Sequence, residues 1–290
     1  MKPRGVALVL VLAITGVVSL LILQISLTSQ YQVKQARRLI DRTEAELTLH
    51  TNESALLYAL LTRPRVTGPS LSTDENPYSS RWNFSGKAFT VENTSIQLQD
   101  LGGLFSMRKA ESSPREFAAL LSAIGFNSDR ADRVSRTLAA HDAKSPGPTL
   151  QSIAELSTLA ELSSAEIRAL DNLATLYPVG ALNPGTAQEP VLATRYTGSQ
   201  LEALLAERTE GRLDEARWMA ITGGTVDDML TTFSVGPGFR VDLSVNYNGA
   251  KLHRRSVWTV RPVSESAPLQ LWEYRNLGPD ENQSSDRNDR

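Results

Sequence analysis

The sequence predicts an α+β protein: a long N-terminal helix packs on a small antiparallel sheet, and an all-helical domain interrupts the segments that form the sheet. Three observations favour this fold. An uncharged apolar segment is followed by a charged, helix-like segment that contains no glycine or proline before Pro64. Strand-like segments lie on both sides of a stretch with helical patterning. The C-terminal strands are too few to form a stable sheet alone.

The bulk composition excludes several classes of protein. The chain has 290 residues, of which 41% are apolar and 21% are charged, as in ordinary globular proteins. The net charge of −2 gives no sign of the basic face that a nucleic-acid-binding protein needs. Because the chain has no cysteine, disulfides, thiolate catalysis and cysteine-based metal sites are excluded.

Residues 6–27 form the apolar segment, and they carry no charge. At about 1.5 Å per residue, a helix of this length spans roughly the 30 Å of a hydrocarbon core. Lys2 and Arg4 precede the segment, which places the short N-terminus in the cytoplasm and the bulk of the chain outside. The sequence therefore predicts a single-pass anchor.

Three interpretations of this anchor compete. A cleaved secretory signal would have a shorter apolar region and a small-residue cleavage site, and neither is present here. A plain, uncleaved signal anchor is the second interpretation. The third is a processed anchor, because a very short basic leader ends in Gly5, directly before the apolar segment.

The helix is expected to continue beyond the membrane. Residues 31–62 contain apolar residues at loosely helical spacing, with charges between them. These apolar positions are Val33, Ala36, Ile40, Leu47, Ala55, Leu56 and Leu60. One helix from about Val6 to about Thr62 is predicted, its second half lying on the soluble domain, although a separate juxtamembrane helix is the alternative. Pro64 ends it.

The predicted strands come in two groups. The first group contains Trp82–Phe84, Ala88–Glu92 and Ser95–Leu98. The second group contains an alternating apolar run at Val241–Tyr247, a return strand around Leu252 and Val257–Val260, and a third strand at Leu269–Tyr274. Asn248-Gly249, between the first two, is a type I′ hairpin signal.

The segment between the two groups is predicted to be helical. One helix begins at Ser113-Pro114 and ends at Gly125; Ser128 is the expected cap of a second, and Ser163 or Ser164 of a later one. This segment is either a second consecutive domain or an insertion into a discontinuous domain. The insertion is more economical, because the C-terminal strands then pair with the first group.

These inferences divide the chain into six parts. They are a leader at 1–5, a transmembrane helix at 6–27, the first part of the sheet-containing domain at 28–107, the inserted helical domain at 108–220, the second part of the sheet-containing domain at 221–278, and a tail at 279–290. The tail has no apolar residues and is expected to be disordered.

The N-terminus resembles the class III signal of type IV pilins and of type II secretion pseudopilins. The resemblance implies that a prepilin peptidase cuts between Gly5 and Val6 and methylates the new N-terminus, Val6. Most members carry a glutamate at the fifth mature position, where this chain has Leu10. A carboxylate in a lipid-spanning helix is costly without a partner. The absence of this glutamate suits a subunit that has no other subunit above it in the filament, as in the K-type minor pseudopilin.

Two further segments resemble the K-type minor pseudopilin. Asp100, Gly102, Gly103 and Phe105 match the outline of an acidic-glycine-hydrophobic phrase, although Ser106 and Met107 depart from its usual polar continuation. Residues 181–187 resemble a second phrase, Asn-x-Asn-Thr-Ala, with Gly185 in place of the second Asn. With the inserted helical domain, the resemblance covers nearly the whole chain and implies a pseudopilin fold.

The resemblance implies a non-enzymatic assembly subunit. It would form the tip complex that initiates or caps the periplasmic pseudopilus of a type II secretion system, and so support export of folded proteins across the outer membrane. The implied partners are the I-type and J-type minor pseudopilins, the prepilin peptidase and the inner-membrane assembly platform. The implied location is the inner membrane, with the C-terminal domain in the periplasm. The alternatives are a minor pilin of a type IV pilus and an unprocessed, signal-anchored periplasmic enzyme or binding protein.

The sequence contains no recognisable catalytic motif, and no catalytic residue or cofactor is assigned. His50, His141 and His253 are expected at surface or turn positions. Gly236-x-Gly238 precedes a strand instead of a helix, so a turn is favoured over a dinucleotide site.

Calcium binding is implied by the resemblance alone. Asp129, Asp132, Asp142 and Asp171 are the nearby carboxylates, and no EF-hand spacing links them, so solvated or N-cap positions are favoured and no metal ligand is assigned.

Four aromatic residues of the strand segments are expected to form core between the sheet and the long helix, with an interface as the second choice. They are Trp82, Phe84, Trp258 and Trp272.

Overall fold

The computed structural model describes residues 4–65, 76–142, 150–225, 230–264 and 266–277. Within these ranges it leaves out the side chains of residues 4–9, 109, 111, 112 and 142. The first residues of the expected leader, most of the loop after Pro64, and the tail at 279–290 lie outside the described residues.

A single helix, α1, runs from Arg4 to Thr62 over 59 residues. At 1.5 Å per residue it is about 90 Å long. The continuity predicted from the absence of helix-breaking residues is confirmed, and Gly16, the only glycine within the apolar part, is accommodated with open space around it. Pro64 lies just beyond the helix, as expected.

The central sheet has five antiparallel strands in the order β1-β2-β5-β6-β7. Their bounds are β1 Phe89–Val91, β2 Thr94–Asp100, β5 Gly238–Tyr247, β6 Ala250–Val260 and β7 Leu269–Leu277. Strands from both groups predicted from the sequence therefore join one sheet, with β2 paired to β5. The turn between β5 and β6 has positive φ at both Asn248 and Gly249, which confirms the predicted type I′ hairpin.

The predicted strand at Trp82–Phe84 is wrong. This segment follows a turn and forms no ladder. Phe84 has a φ of 55°, outside the range of strands, and the side chain of Asn83 accepts hydrogen bonds from the backbone of Ser85 and Lys87. Local side-chain to backbone bonding therefore shapes this segment, and only its end meets β2, where the carbonyl of Phe84 accepts from the backbone of Asp100 over 2.8 Å.

Eight α-helices and two 3₁₀ helices, at Leu101–Gly103 and Ile153–Glu155, occupy the part of the chain between β2 and β5 that the structure describes, and we call this part the helical block. The α-helices are α2 Met107–Ser112, α3 Pro114–Ala123, α4 Ser128–Asp142, α5 Leu156–Leu159, α6 Ser164–Leu173, α7 Glu189–Leu192, α8 Gly198–Thr209 and α9 Glu215–Thr222. Two short strands, β3 Phe105–Ser106 and β4 Ala174–Thr175, form a parallel pair inside the block. The regular secondary structure of the block is thus helical apart from this pair.

The predicted helix boundaries are mostly confirmed. Pro114 opens α3, and Gly125 follows its end with a φ of 100°. Ser163 caps α6 in a reciprocal capping box with Glu166. The expected cap at Ser128 is wrong, because the side chain of Asn127 accepts the hydrogen bond from the backbone of Arg130 and Ser128 is already helical.

The described residues contain two main hydrophobic cores. One lies between α1 and the sheet, and Leu56, Leu60, Ile96 and Phe239 are among its fully buried members. The other lies within the helical block, around Phe117 and its neighbours. The mixed α+β fold class, with a long helix on a small antiparallel sheet and an inserted helical block, is confirmed.

Candidate assembly interface

The apolar half of α1 makes no buried contact with the rest of the chain. Its large hydrophobic side chains from Leu10 onward are all exposed, and Leu10 itself is 61% exposed. Thr15 donates back to the carbonyl of Val11, so its hydroxyl is satisfied within the helix, as a membrane-spanning helix would require. α1 is the one helix in the described residues that is long and apolar enough to cross a membrane. Gly5 and Val6 lie within it, and only their backbone is described.

The second half of α1 has two apolar faces. Val33, Ile40, Leu47 and Tyr58 are 49–66% exposed. At about 100° per residue these four positions fall within roughly 40° of one another. The buried positions, which centre on Leu49, Leu56 and Leu60, point to the opposite side of the helix. We call the four exposed residues the outer stripe.

The outer stripe corrects one sequence prediction. The apolar residues at helical spacing were expected to lie together on the soluble domain, but they belong to two different faces. Leu56 and Leu60 are buried against the sheet and Ala55 is half-buried there, whereas Val33, Ala36, Ile40 and Leu47 are exposed. The outer stripe is therefore available for contact with another molecule.

Two buried polar residues fix α1 on the sheet. Asn52 donates to the hydroxyl of Thr94 over 3.1 Å and accepts from the hydroxyl of Tyr78 over 2.8 Å. Glu53 accepts from the hydroxyl of Ser256 over 2.6 Å, and its other oxygen lies 3.4 Å from the guanidinium of Arg254. Because buried polar groups are costly without such partners, these contacts define one rotation and one height of the helix.

Three of the four aromatic residues expected in the core lie there. Trp82 and Phe84 are buried between α1 and the sheet, and Trp258 packs against the same core. The prediction for Trp272 is wrong: it is 42% exposed, donates to the hydroxyl of Thr259 over 2.7 Å and lies beside Tyr177 of the helical block. A register shift at Val257/Trp258 breaks the alternation of β7 and explains the error.

The two phrases noted in the sequence meet at Asp100. Its carboxylate accepts hydrogen bonds from the side chains of Asn183 and Thr186, each over 3.1 Å, and from the backbone of Gly102 over 3.0 Å. The backbone of Gly236 also donates to it. Burial raises the pKa of the Asp100 carboxyl, against the opposing effect of these hydrogen bonds. We call this arrangement the Asp100 joint, because it links the exit from β2, the helical block and the return to β5.

The glycines of the joint are required by close packing. A Cβ at Gly103 would lie 2.5 Å from the carbonyl oxygen of Thr186. A Cβ at Gly238 would lie 2.8 Å from the side chain of Leu101. The sequence indicated only a turn at Gly236-x-Gly238 and gave no sign that this segment contacts Asp100 and Leu101. A glycine pair beside a strand is the one signal that could have suggested it.

An ionic cluster joins the other face of the sheet to α6. Asp171 of α6 accepts from Arg255 over 2.6 Å and from Arg275 over 2.7 Å. Arg255 also bonds Asp242 over 2.6 Å. Burial would raise the pKa of Asp242, but the hydrogen bond from His253 and the charge of Arg255 lower it to about 2.

Arg240 of β5 caps the end of α6. Its guanidinium donates to the carbonyl oxygens of Asp171, Asn172 and Ala174, at 2.7, 3.2 and 2.6 Å. These are carbonyls that a helix C-terminus leaves without partners, and a cation is favoured there. Burial, and then the positive charge of Arg255, lower the pKa of Arg240 to about 10. A polar cleft of about 620 Å³ lies beside this cluster, between the sheet and α6.

The remaining candidate residues are dispersed. His50 and His141 are exposed as expected, but His253 is largely buried in β6, with Nε2 3.5 Å from the carboxylate of Asp242. Asp129 and Asp132 are exposed, whereas Asp171 is in the ionic cluster and not at a solvated or N-cap position. The side chain of Asp142 lies outside the described residues. Within the described ranges, no three histidine or acidic side chains converge on a possible metal position.

Comparison with known proteins gives likeness to solved structures. No protein-family model and no curated protein matches the chain. Among solved structures, the chain is similar to one described as the crystal structure of the GspK-GspI-GspJ complex from the enterotoxigenic Escherichia coli type 2 secretion system. The identity is 15%, the TM-score is 0.47, and the match covers 86% of this chain and 99% of that chain.

Proposed function

We propose that the chain is a non-enzymatic assembly subunit, the K-type minor pseudopilin of a type II secretion system. It forms the tip complex that initiates or caps the periplasmic pseudopilus, together with the I-type and J-type minor pseudopilins. The observation that carries the proposal is the outer stripe on α1, which continues the exposed apolar half of the helix into the soluble part. A helix with an apolar face on each side is suited to pack on its own sheet and on a partner helix at once.

The inserted block and Leu10 support the tip position over a position in the shaft. The Asp100 joint holds the block at the ends of β2 and β5, the ionic cluster holds it on one face of the sheet, and α1 packs on the other face. The bulk of the block would hinder a further subunit from being added above this one. Because position 10 is leucine, the apolar helix has no carboxylate there that would need a partner in a subunit above this one.

The location follows from the same proposal. The apolar half of α1 spans the inner membrane once, and the sheet and helical block lie in the periplasm. A prepilin peptidase removes residues 1–5 and methylates Val6, and the inner-membrane assembly platform then receives the subunit.

Intact-mass measurement tests the processing. The chain purified from its native host is expected to begin at Val6 with one added methyl group. A chain that still begins at Met1 in a host with an active prepilin peptidase would contradict the pseudopilin proposal, and would favour an unprocessed anchored enzyme or binding protein.

Cysteine cross-linking tests the interface. The chain has no native cysteine, so each introduced thiol reports on one position. Leu47→Cys, in the outer stripe, is expected to form disulfides with cysteines on the helices of the I-type and J-type minor pseudopilins. Glu46→Cys is the matched control, because it is the adjacent exposed residue and points away from the stripe. Equal cross-linking at both positions would contradict the proposed interface.

A further inference from the structure

A short part of α1 carries concentrated positive charge. Residues 28–40, which we call the neck, are all exposed and lie between the apolar segment and the soluble domain. The neck contains Lys34, Arg37 and Arg38 and no acidic residue. None of these three side chains takes part in an ion pair within the part of the chain that the structure describes.

The neck differs in charge from the rest of the chain. Setting aside the three neck cations leaves 27 of the 30 basic residues against 32 acidic residues, a formal charge of −5. The charge is therefore segregated along α1, with a basic neck below an acidic domain. A negatively charged surface at the level of the neck would attract the neck and repel the domain above it.

The lower edge of the soluble domain is fixed by one contact. The side chain of Asn248, in the turn between β5 and β6, donates to the carboxylate of Asp41 over 3.0 Å. Asp41 is 14 residues beyond Leu27, the end of the apolar segment, so this edge stands about 21 Å above the hydrocarbon core. The headgroup layer fills only about 5–8 Å of that gap.

The neck cations are placed to reach the headgroups. Lys34 is about 10 Å along the helix from Leu27, and Arg37 and Arg38 are about 15–17 Å from it. Side chains on a helix slant toward its N-terminus, which here means toward the membrane. Long basic side chains extend further in that direction when they reach for an interface, and an ordinary helix tilt lowers one side of the neck.

We propose that the neck binds the phosphates of anionic lipid headgroups and so sets the depth of α1 in the bilayer. The inference rests on the proposed membrane-spanning role of α1. In the proposed orientation the neck is exported, and basic residues directly after an apolar segment oppose export. Binding to lipid headgroups would explain why the neck nevertheless carries three of them. Basic side chains beside a membrane are attracted to anionic headgroups in proportion to their number.

Lipid retention tests the proposal on the full chain. The chain is reconstituted into nanodiscs of phosphatidylcholine with one part in five of phosphatidylglycerol, extracted with mild detergent, and its retained lipids are measured by mass spectrometry. The wild type is expected to retain phosphatidylglycerol at several times its bulk share. The Lys34→Gln, Arg37→Gln, Arg38→Gln triple variant is expected to lower the retained phosphatidylglycerol to about its bulk share.

A matched triple variant controls for net charge. Lys87→Gln, Arg115→Gln and Arg133→Gln remove three exposed cations from the soluble domain and are expected to leave the enrichment unchanged. Unchanged enrichment in the neck variant would overturn the proposal. A chain that elutes apart from the discs would instead contradict the membrane-spanning role itself.

Discussion

The two faces of the central sheet are built in different ways from the same strands. On the face toward α1, β2 and β5 present Ile96, Leu98, Val241 and Leu243, all fully buried. On the face toward the helical block, the alternate residues of β5 and β6 include Arg240, Asp242, His253 and Arg255. One face therefore holds its partner mainly by apolar packing, with the buried polar contacts of Asn52 and Glu53 added, and the other mainly by charges and hydrogen bonds.

This difference separates two kinds of attachment. Apolar burial is strong and tolerant of small shifts in position. A buried ion pair contributes little net free energy but is costly to break on one side only, and it imposes one geometry. We infer that the apolar face supplies most of the free energy that holds α1, while the polar face supplies the orientation of the block.

The largest expected effect comes from the apolar face. Leu56→Ala opens a cavity between α1 and the sheet, where Leu56 is fully buried, and is expected to lower the free energy of unfolding by about 2–5 kcal/mol. Guanidinium denaturation of the full chain in detergent measures it, with Trp82 and Trp258 as fluorescent reporters in the same core. The control is Leu47→Ala in the outer stripe, with an expected change within about 0.5 kcal/mol. Equal losses would contradict the assignment of the two faces of α1.

A smaller loss is expected from the polar face. Arg240→Met leaves the three carbonyl oxygens at the end of α6 without their donor and is expected to cost about 1–3 kcal/mol. Hydrogen exchange should accelerate at the end of α6 and stay unchanged in α1. Arg133→Met, an exposed position on α4, is the control. Protection of α6 that is the same in both variants would show that Arg240 is not its cap.

The smallest expected effect is a loss of folding stability at low pH. The pKa of Asp242 is lowered to about 2 in the folded chain, so its unfolded form binds a proton first as the pH falls. Its contribution is complete above the ordinary pKa of an aspartate and is lost as the pH falls toward 2, by about 1–2 kcal/mol. Denaturation curves between pH 5 and pH 2 should show a weaker pH dependence for Asp242→Asn. An unchanged slope would contradict the role of the ionic cluster.

Local sequence signals predicted the elements well. The absence of helix breakers gave the length of α1, Asn248-Gly249 gave the hairpin, and Ser163 with Glu166 gave a helix start. Each of these depends on residues that are near one another in the chain. The pairing of distant strands also followed, because the C-terminal strands alone could not form a stable sheet.

The parts that could not be predicted depend on contacts between distant residues. Asp100 and Asn183 are 83 residues apart, and only the fold shows that they are hydrogen-bonded. Helical spacing did not separate the outer stripe from the buried face of α1, because both faces are apolar. Trp272 was misplaced because a register shift reverses the alternation of one strand. The candidate interface was thus within the predicted helix, but its exposed side came only from the structure.

At the Asp100 joint the two ends of the helical block lie side by side in the sheet. Asp100 pairs directly with Phe239 across the β2–β5 ladder, so the chain leaves and re-enters the sheet at neighbouring positions. In topological terms the whole block is the loop of one enlarged β-hairpin. Closing a longer loop costs only slightly more entropy than closing a shorter one. A short turn or another domain could join the same two strand ends, so in connectivity the block is a separable module on the β2–β5 ladder.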